Sequence, residues 1–240
     1  MFTTYCVTVF ICDYVTLPSF YLSEYDVLSL TIDHLAVTAP TLAAGVHFVQ
    51  QSLSVPMQPG GEHARMGTHN QLLKLGESLY LEVIAINPHM PAPERARWFA
   101  LDNLDTNSTA RLATWVARSD DIRAAAAESE LDLGPVEHME RGDLQWQITI
   151  PSDGALQLQG MAPSLIQWQG PHPALKMPDS GCELQCLHVY SEYTTQLDAL
   201  LSKLNFEGRL LVHRLAAGER GYLSAQINTP NGPRLLGGLS

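Results

Sequence analysis

Three times along the 240-residue chain, a strand-like run precedes one helical stretch and then three more strand-like runs. The first unit opens with LTIDHLAVTAP from Leu30, rich in β-branched and apolar residues. The helix TLAAGVHFVQQSL follows, with Thr41 as a candidate N-cap and Leu42, Val46 and Val49 on one face. VPMQPGGEHARMG is a Pro/Gly-rich connection with room for one short strand. THNQLLKLG and LYLEVIAI are then joined at Gly76–Glu77–Ser78, a hairpin signal.

The order restarts near residue 112 with LATWVARS, the helix DDIRAAAAES (Asp120 as candidate N-cap), and the strands GPVEHMER, LQWQITIPS and SLIQWQG. It restarts again near residue 184 with ELQCLHVYS, TTQLDALLSKLN, GRLLVHRL, GYLSAQINTP and the stub PRLLGG. Consecutive strands without intervening helices are too frequent for a βαβ-wound parallel sheet. The pattern predicts an α+β protein: repeated βαβββ modules, curved and mostly antiparallel sheets around a cleft, helices outside.

Composition narrows the function classes. A net charge of −11 opposes binding to a phosphate backbone, so no nucleic-acid partner is expected. No apolar run approaches the roughly 20 residues of a membrane span, so no membrane partner is expected either. Cys6, Cys12, Cys182 and Cys186 lack CxxC spacing and read as free thiols of a reducing cytoplasm. Residues 1–29 read as a loosely packed extension. Their apolar run from Val7 to Ile11 has no preceding Lys or Arg and no small-residue cleavage site after it. The domain proper is placed at 30–240.

Glu82 stands out chemically. Both alternating sets of its strand are apolar, as in a strand buried on both faces, and a carboxylate there is costly to desolvate without a partner. His69 opens the preceding strand and is its nearest candidate companion. His63 and His172 read as turn residues. Residues 87–111 form a Pro-rich loop that either tethers or covers a pocket, with Trp98 and Phe99 as its aromatic anchors and Arg97 as a cation for an anionic group. No Ser-His-Asp or Cys-His arrangement is present, and GxSxG is absent, which disfavours covalent hydrolysis.

DHLAV (33–37), GTHN (67–70), YLEVIA (80–85), RWFALD (97–102) and LIQWQGPHPA (165–174), in this order, resemble the glyoxalase-like branch of the vicinal oxygen chelate superfamily. The resemblance covers roughly residues 31–237. It implies paired modules forming a cup around a divalent metal (Zn, Ni, Mn or Fe), with first-module ligands at His34 and Glu82. Imidazole nitrogen and carboxylate oxygen suit such ions. His69 is the local candidate for a third ligand, and His188 a more distant one. The second module departs from the pattern, with Thr114 opposite His34 and Gln167 opposite Glu82.

The resemblance therefore implies a metal-assisted lyase, isomerase or dioxygenase acting on a small oxygenated molecule. Glu82 would double as catalytic base, and Asn70, Arg97, Trp98, Phe99, Thr114 and Gln167 would line the substrate pocket. The alternative is a metal-free protein that binds or sequesters a small molecule in the same cup. An unpaired third module leaves a sheet edge, which a homodimer would cover.

Overall fold

The structure, a computed structural model, describes residues 28–239. The extension read over residues 1–29 lies outside the described residues except for Leu28 and Ser29, as do Cys6 and Cys12.

The first module runs β1 (Leu30–Thr38), α1 (Leu42–Leu53), β2 (Gln58–His63), β3 (Thr68–Gly76) and β4 (Leu79–Ile86). Thr41 caps α1, its Oγ1 accepting from Ala44 N at 3.2 Å, and the helix stops at Ser54 in the left-handed region. The second module repeats the order as β5 (Arg111–Ser119), α2 (Ile122–Glu128), β6 (Val136–Arg141), β7 (Leu144–Thr149) and β8 (Ser164–Trp168). Its helix is capped by Asp121, one residue beyond the expected Asp120, with Asp121 Oδ1 accepting from Ala124 N at 3.0 Å.

In each module the first and last strands pair in parallel, β1 with β4 and β5 with β8. The other pairs within each module are antiparallel. β1 and β5 then pair antiparallel and fuse the modules into one sheet of order β2-β3-β4-β1-β5-β8-β7-β6. β2 and β6 lie at opposite ends of that order. Even so, Arg65, just after β2, donates to the His138 carbonyl of β6 at 2.7 Å and pairs with Glu137 at 2.5 Å. The sheet therefore curls through most of a cylinder, and its concave face is the cup.

The third unit, β9 (Glu183–Ser191), α3 (Thr194–Lys203), β10 (Phe206–Glu207), β11 (Leu210–Arg214), β12 (Tyr222–Thr229) and β13 (Gly232–Gly237), keeps the element order with different pairing. β9 lies between a parallel β11 and an antiparallel β12, while the two-residue β10 crosses to pair with β1. This four-stranded sheet buries Leu187, Val189, Leu223, Ala225 and Ile227 in one cluster with Val49 and Leu53 of α1 and Leu81 and Val83 of β4. Each Leu, Val or Ile among them stabilises the fold by roughly 1.5–3 kcal/mol relative to exposure. The third unit thus braces the convex side of the cup.

Candidate functional site

Strand alternation decides what enters the cup. In β4, Tyr80, Glu82 and Ile84 face inward while Leu81 and Val83 pack in the core on the convex side. Across the strand pairs, Glu82 stands opposite Leu72 on one side and Ala36 on the other, and Tyr80 opposite His34.

β1 breaks its alternation at one place. Its register against β5 jumps between Ile32 and His34, leaving Asp33 as the extra residue of a bulge. A bulge turns two successive side chains toward one face. Asp33 and His34 accordingly meet, with Nδ1 of His34 2.7 Å from Asp33 Oδ1.

Asp33 is fully buried, and three further groups address its second oxygen. His172 Nε2 lies at 3.0 Å, Trp168 Nε1 donates at 2.9 Å, and Arg118 Nη1 stands 3.6 Å away. Burial alone would raise the Asp33 pKa, but the hydrogen bonds from His172 and His34 outweigh it and hold the carboxyl well below the usual range. The ionised Asp33 can only accept, so His34 carries a proton on Nδ1 and turns Nε2 toward the cup. That nitrogen faces Glu82 Oε2 at 3.7 Å, and the His34 ring is stacked on Tyr80.

Glu82 is 5% exposed, and its Oε1 accepts from Asn70 Nδ2 at 2.5 Å. Asn70 is fixed in turn, because its Oδ1 accepts from Gly61 N at 2.7 Å and from Arg141 Nη1 at 3.2 Å. The close approach of β2 depends on Gly60, where a Cβ would overlap Asn70 Oδ1. Arg141 also donates to His63 Nε2 at 3.3 Å, so His63 bears its proton on Nδ1 and donates to Thr68 Oγ1 at 3.0 Å. Burial first, then the Arg141 charge, lowers the His63 pKa to about 3.

These groups enclose a cavity of about 30 Å³, roofed by Trp98, Phe99, Trp146 and Trp168. That is room for about one or two water molecules. Trp98, 4% exposed, finds no protein acceptor for its Nε1–H among the described residues. The roof segment Trp98–Asn103 holds Phe99 and Ala100 in the left-handed region, at φ 57 and 54. Such residues cost on the order of 1–3 kcal/mol each.

Several sequence expectations resolve differently. His69 lies opposite Ala85 and Glu62, on the face of the sheet away from Glu82, because an odd step along a strand reverses the side chain. Arg97 is tied to its own loop, donating to Asp102 from Nη1 at 2.5 Å and from its backbone at 2.7 Å. Gln167 points outward to the start of α2, accepting from Ile122 N at 3.1 Å and donating to the Asp120 carbonyl. Thr114 lies opposite Ala36, buried on the concave side but outside the cavity lining. His188 belongs to the other sheet, beside His213 at 2.9 Å.

His34, Glu82, Asn70, Trp98 and Phe99 do converge. Asp33, His63, Arg141 and His172 were missed as site residues; the last three sit at a strand end or in a turn, where long-range partners leave no local pattern. Cys182 and Cys186 are free thiols.

The residues present do not fit the divalent ion that the superfamily implies. His34 and Glu82 supply two donors, but the second module turns Ile166, Trp168, Trp146 and Ile148 into the cavity, and none of these is a metal ligand. The remaining imidazole, His63, has its acceptor nitrogen engaged by a guanidinium. Among the described residues, no three His, Cys, Asp or Glu side chains are grouped to hold a metal.

The glyoxalase-like domain profile matches residues 32–205, most of the chain. The chain belongs to the glyoxalase-like domain family. It is a vicinal oxygen chelate protein by fold and by family. No curated protein matches it. A hypothetical protein from Staphylococcus aureus is similar in structure, with TM-score 0.53 and 16% identity over 86% of this chain and 84% of that one. That likeness extends to the fold alone.

Weaker similarity exists to Streptomyces coelicolor methylmalonyl-CoA epimerase in complex with 2-nitronate-propionyl-CoA (TM-score 0.39, 19% identity, 60% of this chain and 99% of that one). Methylmalonyl-CoA epimerase from Mycobacterium tuberculosis is weaker still (TM-score 0.35, 14% identity, 58% and 88%). No helix among the described residues of this glyoxalase-like chain is long and apolar enough to cross a membrane.

Proposed function

We propose that the cup is the active site of an acid–base enzyme that shifts a proton at the carbon beside a carbonyl of a small anionic molecule, such as a 2-oxo acid. One observation carries this reading: Asp33 binds Nδ1 of His34 and aims its Nε2 at Glu82 Oε2, 3.7 Å away. Two proton-transfer groups face each other in a narrow site, each oriented by a buried partner, Asp33 for His34 and Asn70 for Glu82.

In this reading Glu82 Oε2 takes the C–H proton and the electron pair moves onto the carbonyl oxygen. Return of the proton from Glu82 to the same face regenerates the substrate with exchange, whereas delivery to the opposite face by a His34 protonated on Nε2 would invert that carbon. Arg141 and the Trp98 indole N–H are the cavity's donors for the substrate's oxygens. Substrate entry requires the Trp98–Phe99 roof to lift, since 30 Å³ admits no organic acid. The step needs no metal.

The aromatic wall of Trp98, Trp146 and Trp168 favours a second reading, a binding protein that encloses a small molecule without converting it. Proton NMR in D₂O with 2-oxobutyrate and related 2-oxo acids separates the two. The enzyme reading expects deuterium to enter the carbon beside the carbonyl faster than in buffer, with at least 100-fold loss in Glu82→Gln. Ligand binding without exchange across the series would sink catalysis and leave the binding reading. A homodimer through the exposed Leu211 and Leu235 on β11 and β13, the edge strands of the smaller sheet, is a further proposal, tested by light scattering.

A further inference from the structure

A second groove, of about 600 Å³, lies where the start of β5 meets the turn before β12, on the far side of Phe99 from the cup. Phe99 is a wall of both spaces. Arg111 and Arg220 line this groove, and both also line an adjoining depression of about 350 Å³ with Gln159 and Gly218. Neither guanidinium has an ion-pair or hydrogen-bond partner among the described residues, whereas Arg65, Arg95, Arg97 and Arg118 all pair with carboxylates. No Asp or Glu lines either space, in a chain with 25 acidic residues against 14 basic ones.

The nearby acids are engaged elsewhere. Glu219 accepts from Ala216 N at 2.7 Å, Glu192 from Gly218 N at 2.9 Å, and Asp105 from Asn107 N and the Ser108 hydroxyl. Arg111 is half-buried, and burial together with the neighbouring Arg220 charge lowers its pKa. Two like charges held together in a partly desolvated groove repel unless an anion joins them. The rest of the lining suits an organic body: Phe48, Leu112, Tyr222 and Leu223 are apolar or aromatic, and Asn103 and Asn107 offer amide hydrogen bonds.

We propose that this groove is a binding site, separate from the cup, for an organic phosphate monoester. Its dianion would lie between Arg111 and Arg220, and its apolar or aromatic body would lie along Phe48 and Tyr222. Phosphate is preferred over carboxylate because two neighbouring guanidiniums are neutralised by one dianion and match its oxygens with forked donors.

Isothermal titration calorimetry at low ionic strength tests this with phenyl phosphate, inorganic phosphate, benzoate and phenol. Phenyl phosphate is expected to bind at least tenfold tighter than each of the others. Arg220→Gln, at an exposed position just before β12, and Arg111→Gln are each expected to weaken it at least tenfold, whereas Arg141→Gln leaves it unchanged. Absence of binding, equal binding of benzoate, or a loss in Arg141→Gln with retention in Arg220→Gln would each overturn the proposal, the last by placing the anion in the cup.

Discussion

Asp33 and His34 are consecutive residues of one strand, yet both side chains enter the same cup and bond to each other at 2.7 Å. The bulge in β1 makes this possible, and it places a buried carboxylate behind an imidazole that faces Glu82. The arrangement fixes the orientation of a strand histidine toward Glu82.

Replacing Asp33 tests the orientation. Asp33→Asn keeps the volume but offers Nδ1 an amide in place of a carboxylate, so His34 loses its fixed tautomer. Proton exchange on the substrate is expected to fall on the order of 100-fold or more, as read by NMR. Asp33→Ala leaves His34, His172 and Trp168 without their buried acceptor and should destabilise the protein by about 3–5 kcal/mol in urea denaturation.

Asn70 and Gly60 act as one support for Glu82. Gly60→Ala places a methyl group where Asn70 Oδ1 sits, so it should mimic Asn70→Ala. Each is expected to cost about 1–3 kcal/mol, the range for leaving a buried polar group unpaired, and each should slow exchange. A Gly60→Ala variant with unchanged stability and activity would show that Asn70 does not depend on this approach.

His63 makes the fold acid-sensitive. Its pKa falls from 6.5 in the unfolded chain to about 3 in the folded protein. Above pH 6.5 both states are neutral and His63 adds no pH dependence. Between pH 6.5 and 3 the unfolded chain takes up a proton that the folded protein refuses, so stability declines as pH drops, at up to about 1.4 kcal/mol per pH unit. Chemical denaturation at a series of pH values should show a shallower decline over this window in His63→Gln.

Gln167 and His69 serve as contrasts. Gln167→Ala removes the contacts that hold the start of α2 and should cost about 0.5–2 kcal/mol while ligand binding in the cup is unchanged. His69→Ala, on the face away from the cup, should change stability by about 0.5 kcal/mol or less and leave exchange intact. A large loss of exchange in either variant contradicts the placement given above.

Chelation probes the donor set. Because two donors and a nearby guanidinium hold a divalent ion poorly, dialysis against EDTA should leave exchange activity unchanged, and adding Zn²⁺ or Ni²⁺ should not raise it. A metal-restored activity after dialysis would refute the metal-independent reading.

The elements were legible because their signals are local. Thr41 before an apolar face, Gly76–Glu77–Ser78 between two strand runs, and the alternation of Trp146 and Ile148 each depend on neighbours within a few positions. His34 and Glu82 were legible as a pair through the family pattern. His69 was not, since a one-residue change of register reverses a side chain's face and sequence proximity says nothing about register. The third unit shows the same limit at a larger scale: its element order repeats, but its strand pairing does not.

By itself, the sequence determined the modular α+β order, the acidic surface and the buried placement of Glu82, because period, composition and hydropathy act residue by residue. Tertiary structure alone decided which charges meet. Asp33 gains His172 from 139 positions away, and Arg141 crosses from β6 to reach His63 and Asn70. Curling the sheet brings its two ends together and lets Arg141 reach His63 and Asn70, while the pairing of β5 with both β1 and β8 carries the segment after β8 back to Asp33. Burial makes such contacts strong, and the bulge and register that aim them are set by pairings across the whole sheet.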